Sequence, residues 1–118
     1  MVRILQVDLW NRQPVWIALT KIYGIGLTRG KYLCSKLGIS LKTKAGELHQ
    51  YQAAGLAQLI EDERWVIKQA LKEQTKSNIR RLIEIKCRRG VMHTRHLPVN
   101  GQRTKSNAQT AKKRVPKF

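Results

Sequence analysis

After Glu84 this 118-residue chain has no acidic residue, while Lys86, Arg88, Arg89, Arg95, Arg103, Lys105, Lys112, Lys113, Arg114 and Lys117 are all positive. Over the whole chain 24 Lys and Arg face 7 Asp and Glu, a net charge of +17, which points to a polyanionic partner. Apolar residues are also scarce at that end. Between Gly101 and Phe118 Val115 is the only large hydrophobic residue, too little to offset the entropy of ordering the backbone. The segment is therefore expected to stay extended until a partner holds it. No run approaches the ~20 apolar residues of a spanning helix, so a membrane is not the expected partner. Cysteine is sparse: Cys34 and Cys87 stand far apart, and the opening residues carry Asp8 and no long apolar core. Neither a signal peptide nor a transit presequence is expected, and reduced thiols are expected rather than a disulfide.

Catalytic patterns are missing too. There is no nucleophile elbow, no Walker loop and no pair of carboxylates on a plausible pocket, so an enzyme is not expected. Gly24, Gly26 and Gly30 fail as a dinucleotide fingerprint, because the second gap is one residue too long and a helix rather than a strand precedes them. Cys87, His93 and His96 cluster, but a fourth zinc ligand would have to come from Cys34 on another helix. No metal or other cofactor is expected. Cys87 reads as a small residue under the end of a helix, and His93 and His96 as rings that stack on or hydrogen-bond to RNA.

What is present is helical periodicity punctuated by glycine. Pro14 suits a first turn, and Val15, Ala18, Leu19 and Ile22 predict a helix over 14–22. Thr28 can cap a second helix with Leu33, Cys34 and Leu37 inward and Gly38 as a left-handed C-terminal cap. Ala53, Leu56, Leu59 and Ile60 mark a third, which closes in Glu61, Asp62 and Glu63 and is expected to fray there because acids oppose the dipole. Trp65, Val66 and Ile67 are expected to plug the core as a short extended piece. A fourth helix over 70–85 should turn Leu71, Thr75, Ile79, Leu82 and Ile83 inward and Lys72, Lys76, Arg80 and Arg81 outward. The fold class is all-α: a small multi-helix body over 1–86 whose four helices bury one core, then an extended basic tail over 87–118.

Two motifs carry chemistry. Ile22-Tyr23-Gly24-Ile25-Gly26 followed by Leu33 resembles a helix-hairpin-helix, in which backbone N–H groups near Gly24, Ile25, Gly26 and Thr28 approach a phosphate; a plain tight turn remains the alternative. In the tail, Gly90, Pro98 and Gly101 punctuate Arg, Lys, His, Gln, Asn and Thr, donors suited to phosphate and 2′-hydroxyl groups.

The order of these tail residues, from Arg88-Arg89-Gly90 through Leu97-Pro98-Val99 to Gly101-Gln102-Arg103-Thr104-Lys105-Ser106-Asn107, resembles the signature of the small-subunit ribosomal protein thirteen family of bacterial and organellar type. Ile17-Ala18-Leu19-Thr20, the glycine hairpin and Ile79-Arg80-Arg81-Leu82 extend the resemblance over nearly the whole chain. It implies a structural protein of the small-subunit head that binds small-subunit rRNA through Arg80, Arg81, Arg88, Arg89, His93, Arg95, His96, Gln102, Arg103, Thr104, Lys105 and Asn107. It also implies contact with small-subunit protein nineteen, and intersubunit bridges to large-subunit protein five and large-subunit rRNA. Lys112, Lys113, Arg114 and Lys117 would approach the P-site tRNA. Departures from the common pattern at Asn100, Gln109, Ala111 and the opening Ile4-Leu5-Gln6-Val7 favour a mitochondrial matrix ribosome over a bacterial cytoplasmic one. The rival reading is a helix-hairpin-helix DNA-binding accessory or architectural protein, against which the ordered Gly, Pro, Gln and Asn pattern of the tail argues. A base-excision enzyme on the same hairpin would need a catalytic Lys, Glu or terminal Pro in a pocket, and none is identifiable.

Overall fold

The computed structural model describes residues 1–113, and its elements are mainly helical, as the periodicity predicts. It opens on an element the periodicity does not show, a hairpin in which β1 (Arg3–Ile4) pairs antiparallel with β2 (Val7–Asp8), Ile4 opposite Val7. Its loop residues Leu5 and Gln6 have φ of 47° and 64°, the left-handed pair of a type I′ turn that Asn and Gly usually supply. Tertiary contacts hold this costly turn: Ile4 is buried in the core, Leu9 N–H donates to Val2 O at 2.9 Å, and the Lys68 ammonium donates to the Leu5 carbonyl.

Helix α1 (Val15–Ala18) starts after Pro14, which is its N-cap rather than its first residue, and tightens into a 3-10 turn at Leu19–Lys21. Val15, Ala18, Leu19 and Ile22 are all buried, as their spacing predicts. Helix α2 (Leu27–Lys36) is capped by Gly26; Thr28 lies one residue inside and makes no cap, which corrects the expected start. Its end follows the expectation. Gly38 has φ +65°, its N–H donates to Ser35 O at 3.3 Å, and Ile39 N–H reaches back to Cys34 O at 2.9 Å, which is a Schellman closure. Leu33 and Cys34 are buried, whereas Leu37 is exposed at the rim. Helix α3 (Gln50–Asp62) begins where His49 N–H donates to Gln52 Oε1 at 3.1 Å, and it buries Leu56 and Ile60. Trp65 and Ile67 pack against the core as expected, while Val66 between them is exposed.

Among the described residues every buried hydrophobic side chain lies between Ile4 and Ile60. That corrects the expectation of four helices around one core. Helix α4 (Lys68–Glu84) buries no residue fully: Leu71, Ile79, Leu82 and Ile83 are half-buried and Thr75 is exposed. At ~1.5 Å per residue it is ~25 Å long. The contacts divide the chain accordingly into Met1–Leu71 and a second unit from Lys72 onward.

Within the second unit the basic segment carries a helix, α5 (Arg88–Arg95), where extended chain was expected. Cys87 caps it, its Sγ accepting from Gly90 N–H at 3.4 Å and donating to Leu82 O at 3.4 Å. A β-carbon at Gly90 would lie 2.3 Å from Leu82 O and 2.8 Å from Ile83 Cα, so α5 meets α4 backbone to backbone. The shortage of apolar residues that argues against ordered structure applies only beyond about Gly101; Val91, Met92 and Leu97 lie before it. His96, at φ 59°, closes α5, with Leu97 N–H donating to Met92 O at 3.0 Å. Residues 97–108 form turns and irregular chain before the five-residue α6 (Gln109–Lys113).

Gly90→Ala should therefore destabilise the second unit by ~1–3 kcal/mol, the usual cost of overpacking a tight contact. Hydrogen exchange across residues 82–95 is expected to accelerate while that of α2 stays unchanged; equal protection in both proteins would contradict the close crossing.

Candidate nucleic-acid interface

The glycine hairpin is built by tertiary contact as much as by turn chemistry. Gly24 has φ +104°, and a β-carbon there would meet Ile67 at 3.1 Å and Leu71 at 3.2 Å, so the loop lies against the start of α4. Ile25 is a core residue, so only its backbone could meet a ligand. Gly26 has open space where a β-carbon would stand. Thr28 is exposed in the first turn of α2, which has neither a side-chain cap nor an acid. A helix start in that state offers backbone N–H groups to an anion.

Sequence reasoning missed the side chains beside this hairpin. The Arg29 guanidinium donates to Gly24 O at 2.7 Å and lies 4.6 Å over the Trp65 ring. Trp65 meets Tyr32 at a ring separation of 6.0 Å, and Lys36 lies 5.5 Å from the Tyr32 ring. Arg29, Tyr32 and Lys36 share one face of α2, three and four residues apart, and that periodicity was the available signal. Trp65 comes from another part of the chain, so no local pattern could have found it. Tyr32 also donates to Glu63 Oε1 at 2.7 Å, tethering the acidic end of α3 that was expected to fray. This hydrogen bond first, then desolvation and the Glu63 charge, raise the phenol above its ordinary pKa of 10.0, against the opposing pull of Lys36. Burial likewise pushes the Cys34 thiol up.

The second unit gathers the remaining candidates. Arg80 and Arg81 are exposed on α4; Arg88 and Arg89 are exposed in the first turn of α5, Arg95 in its last turn, and His96 at its cap. His93 is half-buried. Gln102, Arg103, Thr104, Lys105 and Asn107 are exposed on irregular chain. Lys112 and Lys113 are exposed, and the Lys112 ammonium donates to Thr104 O at 3.1 Å. Arg114 and Lys117 lie outside the described residues. Arg88, Arg89, Arg95, Arg103 and Lys105 form no ion pair among the described residues. Basic residues at a helix start are opposed by its dipole, so Arg88 and Arg89 do not stabilise α5 by that interaction.

Because its folded-state pKa is raised, the Tyr32 contribution to stability is present below pH 10.0 and is lost as pH rises through the folded value. Glu63→Gln should bring the titration of the Tyr32 ring resonances down in pH. An unshifted titration would show that the Glu63 contact does not govern the phenol.

A family model described as ribosomal protein S13/S18 matches residues 3–110. The small ribosomal subunit proteins uS13 of Thermotoga petrophila and Thermotoga maritima are each 42% identical over 112 residues, 95% of this chain and 89% of theirs. That of Borrelia duttonii is 41% identical over the same shares. These relatives are bacterial, and they lend no support to the expected mitochondrial location. The family is structural and not enzymatic. With the match running from the first strand into α6, the chain belongs to the ribosomal protein S13/S18 family.

Proposed function

We propose that this protein is a structural constituent of the small ribosomal subunit that braces rRNA by charge and shape. The observation that carries the reading is the second unit: no acidic side chain follows Glu84, and Arg88, Arg89, Arg95, Arg103 and Lys105 are exposed and unpaired among the described residues. Each such cation that neutralises a phosphate releases condensed counterions, which makes RNA a favourable partner and makes the affinity fall with salt. In this reading Arg80, Arg81, Arg88, Arg89, His93, Arg95 and His96 contact the RNA from α4 and α5. Gln102, Arg103, Thr104, Lys105 and Asn107 contact it from the irregular segment, so residues 87–118 are the principal RNA-binding part and 1–86 the body that positions them. The start of α2, with Gly24, Ile25, Gly26 and Thr28, takes a further phosphate through backbone N–H groups.

The finer roles belong to the same proposal. The body contacts small-subunit protein nineteen and bridges to large-subunit protein five and large-subunit rRNA, while Lys112, Lys113, Arg114 and Lys117 approach the P-site tRNA. The ribosome is the site of action, with no preference for an organelle.

The protein should sediment with the small subunit through a high-salt wash; recovery at the top of the gradient or with DNA would refute the assignment. In competition with wild type, Arg103→Ala should incorporate less well and should show a salt slope for rRNA binding shallower by ~0.7–0.9. Lys117→Ala should incorporate normally but retain P-site tRNA less well. Equal incorporation of Arg103→Ala would remove Arg103 from the RNA contact.

A further inference from the structure

We infer that the cleft within the irregular segment of the second unit recognises one unpaired RNA base. The inference rests on the RNA-binding reading above and adds what the segment reads. Residues 97–108 lack regular structure, but they are folded back on themselves. Gly101 at φ 74° and Ala108 at φ 68° turn the chain, and the Lys112 ammonium ties the second limb to Thr104 O at 3.1 Å. Between the limbs lies an open cleft of about 580 Å³, within the ~300–1,000 Å³ typical of small-ligand sites. Pro98, Gln102 and Arg103 line it from one limb, and Asn107, Gln109 and Thr110 from the other.

The chemistry of this lining separates a base from a phosphate. A phosphate diester offers only acceptors, so a site made for it needs donors alone, such as Arg, Lys or backbone N–H groups. Here three carboxamides and a hydroxyl bring acceptors as well as donors into one cleft, and those acceptor atoms have nothing to bind on a phosphate oxygen. A base edge alternates donors with acceptors, and Asn and Gln side chains match it in pairs. Arg103 supplies a planar cation that can stack on the base or hold its own phosphate, and Pro98 gives an apolar wall. Paired RNA hides its informative edges in a deep, narrow groove, so the occupant is a base from a loop, bulge or strand end.

The test uses the full chain and fluorescent homopolymers of A, C, G and U, with an abasic strand of equal length and charge, compared by anisotropy at one salt concentration. One homopolymer should bind about 5- to 100-fold more tightly than the abasic strand, the discrimination expected of a well-made base contact. Asn107→Ala and Gln102→Ala should each abolish that preference without changing the salt slope. Lys105→Ala should weaken all strands alike and leave the preference in place. Retention of the far-ultraviolet helical signal would establish that the variants are folded. Equal affinity of wild type for all strands would overturn the base site while leaving phosphate binding intact, and a preference that survives both carboxamide variants would assign it to stacking elsewhere. Absence of binding to every strand would defeat the RNA-binding reading itself, and the base site with it.

Discussion

A β-carbon at Gly30 would stand 2.4 Å from the Trp16 carbonyl oxygen, so α1 and α2 meet backbone to backbone, and the rest of the first unit is arranged around that approach. With the helices so close, the space between the elements is filled by aliphatic side chains, Val15, Leu19, Ile22, Leu33, Leu56 and Ile60. The larger aromatic rings are left at the rim, where their polar edges find partners. Trp16 donates from its indole nitrogen to Leu41 O at 3.0 Å and carries Lys31 at 4.8 Å over its ring. Such a contact is worth ~0.5–1 kcal/mol at an exposed site, enough to fix a side chain without supplying much of the fold's stability.

The second unit repeats the device with fewer apolar residues. Gly90 lets α5 approach the Leu82 carbonyl, and the Cys87 sulfur, bonded on both sides, joins the end of one helix to the start of the next. The close crossing orders Arg88, Arg89 and Arg95 on one helix, although their mutual repulsion acts against it and the helix dipole opposes the two at its start. Positioned cations bind a shaped polyanion at a lower entropic cost than a flexible polycation does, which fits membership of a ribosomal protein family.

Most of the helical plan was legible because it depends on periodicity and caps. Val15, Ala18, Leu19 and Ile22 announced a buried face, and Gly38 announced the end of α2 through a conformation that glycine adopts at no steric cost. The opening hairpin was hidden because Leu5 and Gln6 are poor type I′ residues, and contacts from elsewhere, among them Lys68, help hold them there. Helix α5 was missed because composition averaged over the tail hides a short stretch whose single glycine permits a close crossing. For the candidate site, the residues could be named from their order in the chain, whereas the Arg29, Trp65, Tyr32 and Lys36 cluster joins segments too far apart for any local pattern.

By itself the sequence determined the charge asymmetry, the helical class and the family, because these depend on residue type, spacing and order along the chain. Only the tertiary structure decided that α4 buries no residue fully, that Gly90 is a contact between two helices, and that Gln102, Arg103, Asn107 and Gln109 line one cleft. Each of these depends on which backbone passes within a few ångströms of which, and the order of residues along the chain does not encode that distance locally.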